Sequence, residues 1–359
     1  MSLVHILLVV VVLALLIAFH EFGHFICAKS LGVPVKIFSI GFPLGSKPLF
    51  SFRWAETDVQ LNPLPLGGFC AFMDDENQSE DGALEDYQPG DKRFLKNRKI
   101  WERAIIISGG VVANMIVAYL ILVGLVLGTG VPDLTQPGGV MVGGVLEESP
   151  AEEAGLKPGD QIKTINGKEI KNVEAMQALV KQSASQPVTI VVKRLNDTLS
   201  FQAEPNDKGT IGVQISDILH KRPVSGIGEA LSKGWSDLWA MCQLLSNALI
   251  KLVSGALPIS QVGGLVEVVH MGSKVSQTGF TQLMYFAALI SVELAILNIL
   301  PIPALDGGHL LLLIIEALRG RPLPRKFEER MHQTGFGLLL FMGVVLIFKD
   351  VFGLVFGKG

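Results

Sequence analysis

Two histidines and a glutamate near the N-terminus are the residues best suited by type and spacing to do chemistry. They stand in the pentapeptide His20-Glu21-Phe22-Gly23-His24, an H-E-x-x-H pattern. On a helix the two histidines share one face, where both imidazoles can bind a single zinc ion. The glutamate lies one position further round and can take a proton from a metal-bound water. The pattern predicts a zinc site that activates water.

The surroundings of this motif place it in a membrane. Residues 6–19 form an unbroken apolar run that leads directly into it. A helical histidine pair more often has a solvated or capping role, but ionisable groups beside a helix of membrane length are costly without a function. The N-terminus has neither a basic region nor a small-residue cleavage site. We therefore expect residues 3–28 to be a retained transmembrane helix rather than a signal peptide.

The composition supports a membrane protein. The chain has 359 residues, of which 49% are hydrophobic and 18% charged, and its mean hydropathy is +0.45. A net charge of −3 gives no indication of nucleic-acid binding, and none is predicted. The cysteines, Cys27, Cys70 and Cys242, have no C-x-x-C spacing, so neither a disulfide framework nor a thiolate zinc site is expected.

Four apolar segments are long enough to cross a bilayer, namely residues 3–28, 104–128, 282–300 and 336–356. A fifth segment, 238–257, contains polar residues and is predicted to be an amphipathic helix at the membrane surface. Basic residues cluster just before the second span and again between the third and fourth. The positive-inside rule makes both clusters cytoplasmic and puts both termini and residues 131–235 outside.

Two stretches are predicted to contain strands. Residues 33–72 are apolar, β-prone and interrupted by Gly and Pro, a backbone tolerated at membrane depth only against protein or a water-filled cavity. Residues 138–215 form a polar module with strand patterns, a helix at 173–182 and a tight turn at Asn166-Gly167. The order of its Gly and Pro turns resembles a circularly permuted bacterial PDZ domain. That resemblance implies binding of an extended peptide or C-terminus, although the module could instead only cap or gate the membrane part.

A third metal ligand is needed, with one position left open for water, if zinc is to be catalytic. The candidate is Asp306, in the stretch Asn298-Ile-Leu-Pro-Ile-Pro-Ala-Leu-Asp306-Gly-Gly-His309. Pro301 and Pro303 prevent a regular helix, so Asp306 can project from the start of a following helix at 307–318. Asp306 could also N-cap that helix, and the two roles can coexist.

H-E-x-x-H in a first span and N-x-x-P-x-x-x-L-D-G in a later one resemble the site-2 protease family of intramembrane zinc metalloproteases. The similarity extends over nearly the whole chain and is greatest to the bacterial regulator-of-sigma-factor proteases. It implies that His20, His24 and Asp306 bind Zn²⁺ and that Glu21 is the general base. It also implies that Asn298 stabilises the oxyanion or positions the scissile peptide. The strands of 33–72 would pair with a locally unwound substrate.

Some residues depart from the family pattern or have no assigned role. Gly109-Gly110 replaces a frequent Gly-Pro, and Gly41-Phe42-Pro43 replaces the commoner Gly-x-Gly. Asn114, within the second span, could line the site or hydrogen-bond between helices. No role is assigned to Glu293 or His309; the acid is expected to face a hydrated cavity or a partner.

We therefore predict a polytopic α-helical membrane protein with about four transmembrane helices, a membrane-associated β-segment and one extracytoplasmic PDZ-like α+β domain. The predicted divisions are residues 1–130, with the first two spans; the PDZ-like domain, 131–220; a linker with the amphipathic helix, 221–281; and the last two spans, 282–359. The predicted location is the cell inner membrane, with the active site towards the cytoplasm.

The predicted function is intramembrane zinc-dependent endopeptidase activity on single-span membrane proteins, such as an anti-sigma factor or a signal-peptide remnant. The alternative is a catalytically silent PDZ-containing scaffold or quality-control factor, which would be expected to have lost Glu21 or a ligand. A metal-ion transporter would require more intramembrane acids or histidines than this chain offers.

Overall fold

The computed structural model describes residues 3–43, 47–72, 91–146, 149–195, 197–207, 209–258 and 263–356. The chain forms two compact units. One comprises Met1–Leu125 and Gly228–Gly359, and the other Val126–Ile227.

The helices of the described residues are numbered in chain order. They are α1 (Leu3–Ser30), α2 (Ile100–Thr129), α3 (Pro150–Glu153), α4 (Val173–Gln182), α5 (Ile227–Val253), α6 (Leu265–Thr278), α7 (Phe280–Ile299), α8 (Asp306–Arg319) and α9 (Arg325–Phe356). A short 3-10 turn, Leu95–Asn97, precedes α2.

Four of these helices are long and apolar enough to cross a membrane, within the described part of the chain. They are α1, α2, α7 and the segment Lys326–Gly353 of α9. Each contains most of one of the segments predicted from hydropathy, and the protein is a multi-pass membrane protein. The last helix begins eleven residues before the predicted span because the basic stretch ahead of the apolar run is helical too.

The predicted surface helix differs from α5 in its bounds and in its packing. The helix begins at Ile227 and ends at Val253, where Gly255 has a positive φ of 75°. One face is buried against α2 and α7 through Leu238 and Met241. The opposite face exposes apolar side chains, including Trp235, Trp239, Leu244 and Ile250. The helix thus contains most of the predicted segment and is part of the helical core, and its position at a membrane surface stays a prediction.

The core of the membrane part forms where α1 packs on α7. Val9, Leu13 and Leu16 recur at helical spacing on one side of α1 and are buried in one cluster with Leu283 and Phe286. Sequence reasoning missed α6, which lies beside both helices. A Cβ added at Gly272 of α6 would be 2.9 Å from Val9 and 2.8 Å from Phe286, so this glycine permits the close approach.

Residues 33–72 form the predicted β-segment, a sheet of β1 (Val35–Phe42), β2 (Phe50–Trp54), β3 (Thr57–Leu61) and β4 (Leu64–Phe72). The strand order is β2-β3-β1-β4, so β4 is an edge strand. It is antiparallel to β1, which is parallel to β3. Asn62 Nδ2 donates to Ser39 Oγ at 2.7 Å, and Ser39 Oγ donates to Gly41 O at 2.8 Å. These buried bonds tie β1 to the turn that leads into β4.

The second unit contains one sheet built from β5 (Val131–Val145), β6 (Gln161–Ile165), β7 (Lys168–Glu169), β8 (Val188–Arg194), β9 (Asp197–Ala203) and β10 (Val213–Arg222). The order is β10-β5-β6-β8-β9, and β7 pairs with β6. Val188, Ile190 and Val192 are all fully buried, as expected for alternate residues on one face of a strand. Asn166 and Gly167 have positive φ angles of 50° and 79° between β6 and β7. The tight turn predicted there is confirmed.

A buried ion pair links the strands of this unit. Arg194 Nε donates to Asp160 Oδ1 at 2.6 Å, and the Asp160 side chain is 1% exposed. Burial alone would raise the pKa of Asp160. The bonds from Arg194 and from the Lys157 amide outweigh it and leave the pKa below its usual value.

Candidate metal centre

Three side chains converge at the centre of the first unit. His20 Nε2 is 3.3 Å from Asp306 Oδ2, His24 Nε2 is 3.4 Å from the same oxygen, and the two Nε2 atoms are 3.3 Å apart. Within the described ranges these residues are the one group of His, Cys, Asp or Glu side chains arranged to hold a metal ion. The structure thus brings together the two parts of the site, which are almost 300 residues apart in sequence.

The donor set and its spacing fit zinc. Tetrahedral zinc with bonds of about 2.0–2.1 Å has ligand–ligand edges of about 3.3–3.4 Å, which matches the three distances. Asp306 Oδ2 is buried and has no hydrogen-bond partner in the described residues, so no donor satisfies this electron-rich carboxylate oxygen. His24 Nδ1 is 2.9 Å from Ile106 O, which can only accept. The proton of His24 is therefore on Nδ1, and its Nε2 lone pair is free to bind a metal.

The space for the two imidazoles comes from a glycine pair in α2. A Cβ at Gly110 would lie 2.4 Å from His24 Nε2 and 2.6 Å from His20 Cε1. The adjacent Gly109 contacts the α1 backbone, since a Cβ there would be 2.5 Å from Gly23 O. In this chain the Gly-Gly pair that departs from the family pattern leaves room for the close crossing of α1 and α2. Cys27 is at the same crossing and is not among the clustered metal-binding side chains.

Asp306 is positioned by a broken backbone between α7 and α8. The N-cap of α8 is Leu305, which makes no side-chain capping bond, so Asp306 is already in the first turn. The alternative that Asp306 only N-caps the helix is wrong. Ala304 has a positive φ of 74°, and a Cβ at Gly307 would lie 2.2 Å from both Ile299 O and Leu300 O. The Asp-Gly-Gly sequence is therefore what lets the carboxylate turn towards the histidines.

The predicted catalytic residues line the same cavity as the three ligands. This cavity has a volume of about 440 Å³, and Glu21 and Asn298 are in its wall. Three residues of the edge strand β4, Gly68, Phe69 and Cys70, form another part. A Cβ added at Gly68 would lie 3.1 Å from Glu21 Cγ, so the acid packs directly against β4. A peptide in this cavity would be in reach of the metal site, an acid and an open strand edge.

Asn114, whose role the sequence left open, contacts both the site and a neighbouring helix. Its Nδ2 is 3.3 Å from His20 Nδ1, and its backbone carbonyl accepts from Ser291 Oγ of α7 at 2.8 Å. The Asn114 side chain is therefore next to a proposed metal ligand, while its backbone makes the bond to α7. Sequence reasoning missed Ser291, since nothing in a run of apolar residues indicates which helix a serine faces.

His309 and Glu293 are placed differently. His309 lines the cavity, and its ring stacks on His332 with centroids 4.0 Å apart. Burial, with the neighbouring His332, lowers the pKa of His309 to about 4, so this imidazole is neutral at neutral pH. Glu293 is half-buried in α7 and does not line this cavity.

The chain is similar to known proteins over most of its length. Residues 8–342 match the model of Peptidase family M50. A candidate zinc metalloprotease of Nostoc sp. is 40% identical over 357 residues, covering 96% of this chain and 95% of the relative. The membrane metalloprotease ARASP, chloroplastic, of Arabidopsis thaliana is 33% identical over 97% of this chain and 79% of the relative. The regulator of sigma-W protease RasP of Bacillus subtilis is 29% identical over 95% and 97%.

Among solved structures, the chain matches the crystal structure of the PDZ domain of an SdrC-like protein from Listeria monocytogenes. The match covers 21% of this chain and 86% of that one, with 24% identity and a TM-score of 0.20. That score is too low for the match to bear on the fold of the second unit.

Proposed function

The chain belongs to peptidase family M50 and is an intramembrane zinc metalloprotease, and on this premise we propose which of its residues perform the reaction. His20, His24 and Asp306 hold the zinc ion, and Glu21 is the general base. The observation that carries this proposal is the triangle of ligand atoms, 3.3 to 3.4 Å on each side, around a buried carboxylate oxygen without a partner.

The reaction is hydrolysis of a peptide bond. Zinc, when bound, supplies a Lewis acid that brings the pKa of water down to about 7. Glu21 accepts the proton of the attacking water and returns it to the leaving amine nitrogen. The close packing of Glu21 on Gly68 of β4 keeps the carboxylate in the cavity wall while it does so.

Asn298 is the second proposed catalytic residue. It is in the last turn of α7, just before the broken backbone, and its side chain faces the cavity that contains Glu21 and the three ligands. An amide N–H in that wall can donate to the carbonyl oxygen of the scissile peptide as negative charge develops. The Asn298 amide is neutral, so it can also orient the uncharged peptide before the reaction begins.

The substrate is a single-span membrane protein that unwinds next to β4. An intact helix uses its own carbonyls in hydrogen bonds, so the scissile segment must become extended before it can be hydrolysed. Within the described residues β4 is an edge strand beside the site, and strand addition there would hold the segment extended. One relative is named as a regulator of sigma-W protease, and this name supports an anti-sigma factor as one kind of substrate.

The active site is proposed to lie towards the cytoplasm. Arg103 at the start of α2 makes bonds of 2.8 and 3.1 Å to the Glu316 carboxylate in α8. The beginning of α2 and the end of α8 are therefore at one level, and basic residues of the sequence cluster next to both. The termini and the unit 126–227 would then be extracytoplasmic.

The unit 126–227 is proposed to be a PDZ-like domain that binds an extended peptide or C-terminus of the substrate. The edge strands of its antiparallel sheet are β9 and β10, and an edge strand is where strand addition takes place. It would select substrates whose outer part another protease has already shortened. The scaffold alternative predicted loss of Glu21 or of a ligand, and the chain keeps all of them.

Metal analysis of the purified full-length protein tests the ligand assignment. We expect about one zinc per chain in the wild type and its loss in His24→Ala and Asp306→Asn, because a catalytic site has three protein ligands. His270→Ala, in α6, is the matched control and should keep its zinc. Full zinc content in Asp306→Asn would remove Asp306 from the ligand set.

A further inference from the structure

We propose that Asn114 is a positioning residue, whose amide oxygen accepts the Nδ1 hydrogen of His20 and thereby holds the Nε2 atom of that ring towards the metal. This inference rests on the zinc site proposed above. It assigns a function to a buried polar side chain in α2 that the mechanism does not use.

The tautomer of His20 follows from the geometry of the ligand triangle. The atom of His20 that faces Asp306 and His24 is Nε2, at 3.3 Å from both partners. A metal-binding imidazole is neutral and coordinates through a lone pair, so its single proton must be on the other ring nitrogen. Nδ1 of His20 is therefore a donor and needs an acceptor.

The nearest group to that donor is the amide of Asn114. As placed, Asn114 Nδ2 is 3.3 Å from His20 Nδ1, while Asn114 Oδ1 is buried and has no partner among the described residues. Two donors would face each other once Nδ1 carries the proton. A half-turn of the amide exchanges its oxygen and nitrogen in the same space and makes the contact a hydrogen bond.

The second histidine has an equivalent partner on the same helix. His24 Nδ1 donates to Ile106 O at 2.9 Å, and Ile106 is eight residues, about two turns, before Asn114. Residues two turns apart are on one face of a helix. Since α1 runs opposite to α2, this face supplies one acceptor to His24 and the next, two turns later, to His20.

Asn114 is itself held by α7. Ser291 Oγ donates to its backbone carbonyl at 2.8 Å, and both residues are 0% exposed. The bond fixes the position of Asn114 along α2 without using its side chain. The amide is thus left to His20, and the series Ser291, Asn114, His20, Asp306 connects α7, α2, α1 and α8.

Two substitutions of nearly equal size separate an acceptor from the alternatives. We would measure the zinc affinity of the full-length protein in detergent by competition with a chelator. Asn114→Leu should weaken zinc binding about 10- to 100-fold, the usual effect of removing the partner of a metal-binding histidine. Asn114→Asp should stay within a few-fold of wild type, because a carboxylate can accept the Nδ1 hydrogen but cannot donate.

The results that would contradict this proposal differ from those that would contradict the zinc site itself. Wild-type affinity in Asn114→Leu, or an equal loss in Asn114→Asp, would overturn the proposal and leave Asn114 as a donor or a packing group. If the wild type itself bound no zinc, the proposed function would fail instead. The unfolding temperature of the zinc-free protein should be similar in wild type and Asn114→Leu. A structural role of Asn114 would instead lower this temperature in the variant.

If Asn114→Asp does not yield monodisperse protein, a second pair of variants tests whether Asn114 positions His20. Ser291→Ala removes the bond to the Asn114 carbonyl and should lower the zinc affinity. Ser276→Ala removes a comparable bond, at 3.0 Å, to His5 at the other end of α1 and should leave the affinity unchanged. Equal affinities in these two variants would overturn the proposal.

Discussion

At the scale of residues, the site depends on glycines as much as on its ligands. Gly110 leaves room for both imidazoles, and Gly307 lets the chain turn so that Asp306 meets them. The H-E-x-x-H and L-D-G patterns predicted the zinc ligands and the general base from the sequence. The spacing of those motifs contains no information about a glycine on another helix, so Gly110 could be identified only in the folded chain.

Gly110→Ala is expected to reduce zinc binding by about tenfold or more, on the scale of losing a partner of a ligand. The new methyl group would lie 2.4 Å from His24 Nε2, so the ring must move. Zinc content and chelator competition measure the effect. Gly124→Ala on the same helix is the control, because a Cβ there meets nothing within 4 Å. Similar zinc affinities in the two variants would contradict the packing described for the histidines.

At the scale of elements, hydropathy predicted the four helices that are apolar enough to cross a membrane. The stretch interrupted by Gly and Pro predicted a β-segment. The parallel pairing of β1 with β3 was not predictable, since register depends on partners distant in sequence. The short helix α6 was missed because its fourteen residues include polar His270 and Lys274 and begin after Gly264, without a capping side chain. For Asn114 the sequence indicated either a place lining the site or a bond between helices, and the contact with His20 could be found only once the helix crossing was known.

Strand addition at β4 can be tested with a native cysteine. Cys70 is on β4 in the cavity wall, so a cysteine placed in a bound substrate segment can reach it. In a Glu21→Gln background without Cys27 and Cys242, we expect disulfide formation with Cys70 to alternate with every second substrate position. Side chains of an added strand alternate between two faces. A repeat of three to four positions would mean that the substrate stays helical next to β4.

At the scale of the whole molecule, the chain combines a membrane part that contains the chemistry with a second unit inserted into it. The inserted unit begins and ends on paired strands, since Val131 of β5 is opposite Arg222 of β10. Paired residues of antiparallel strands have Cα atoms about 4.5–5.5 Å apart. Its two ends are therefore close enough to be joined by a short linker.

Replacing residues 131–222 by a linker of three Gly or Ser residues tests whether the unit selects substrates. We expect cleavage of a substrate with a shortened outer part to stay within a few-fold of wild type. Discrimination against the full-length substrate should be lost, because the ligands and Glu21 are all in the other unit. The ratio of the two cleavage rates measures this. Loss of cleavage of both substrates, with zinc retained, would assign the unit a structural role.

The most direct test of the whole account is Glu21→Gln in the full-length protein, reconstituted with a transmembrane substrate. We expect this variant to keep one zinc and the wild-type fold but to cleave no longer, because the amide cannot accept the proton of the attacking water. Cleavage at the wild-type rate by the zinc-loaded variant would contradict the assignment of Glu21 as general base, and with it the proposed mechanism.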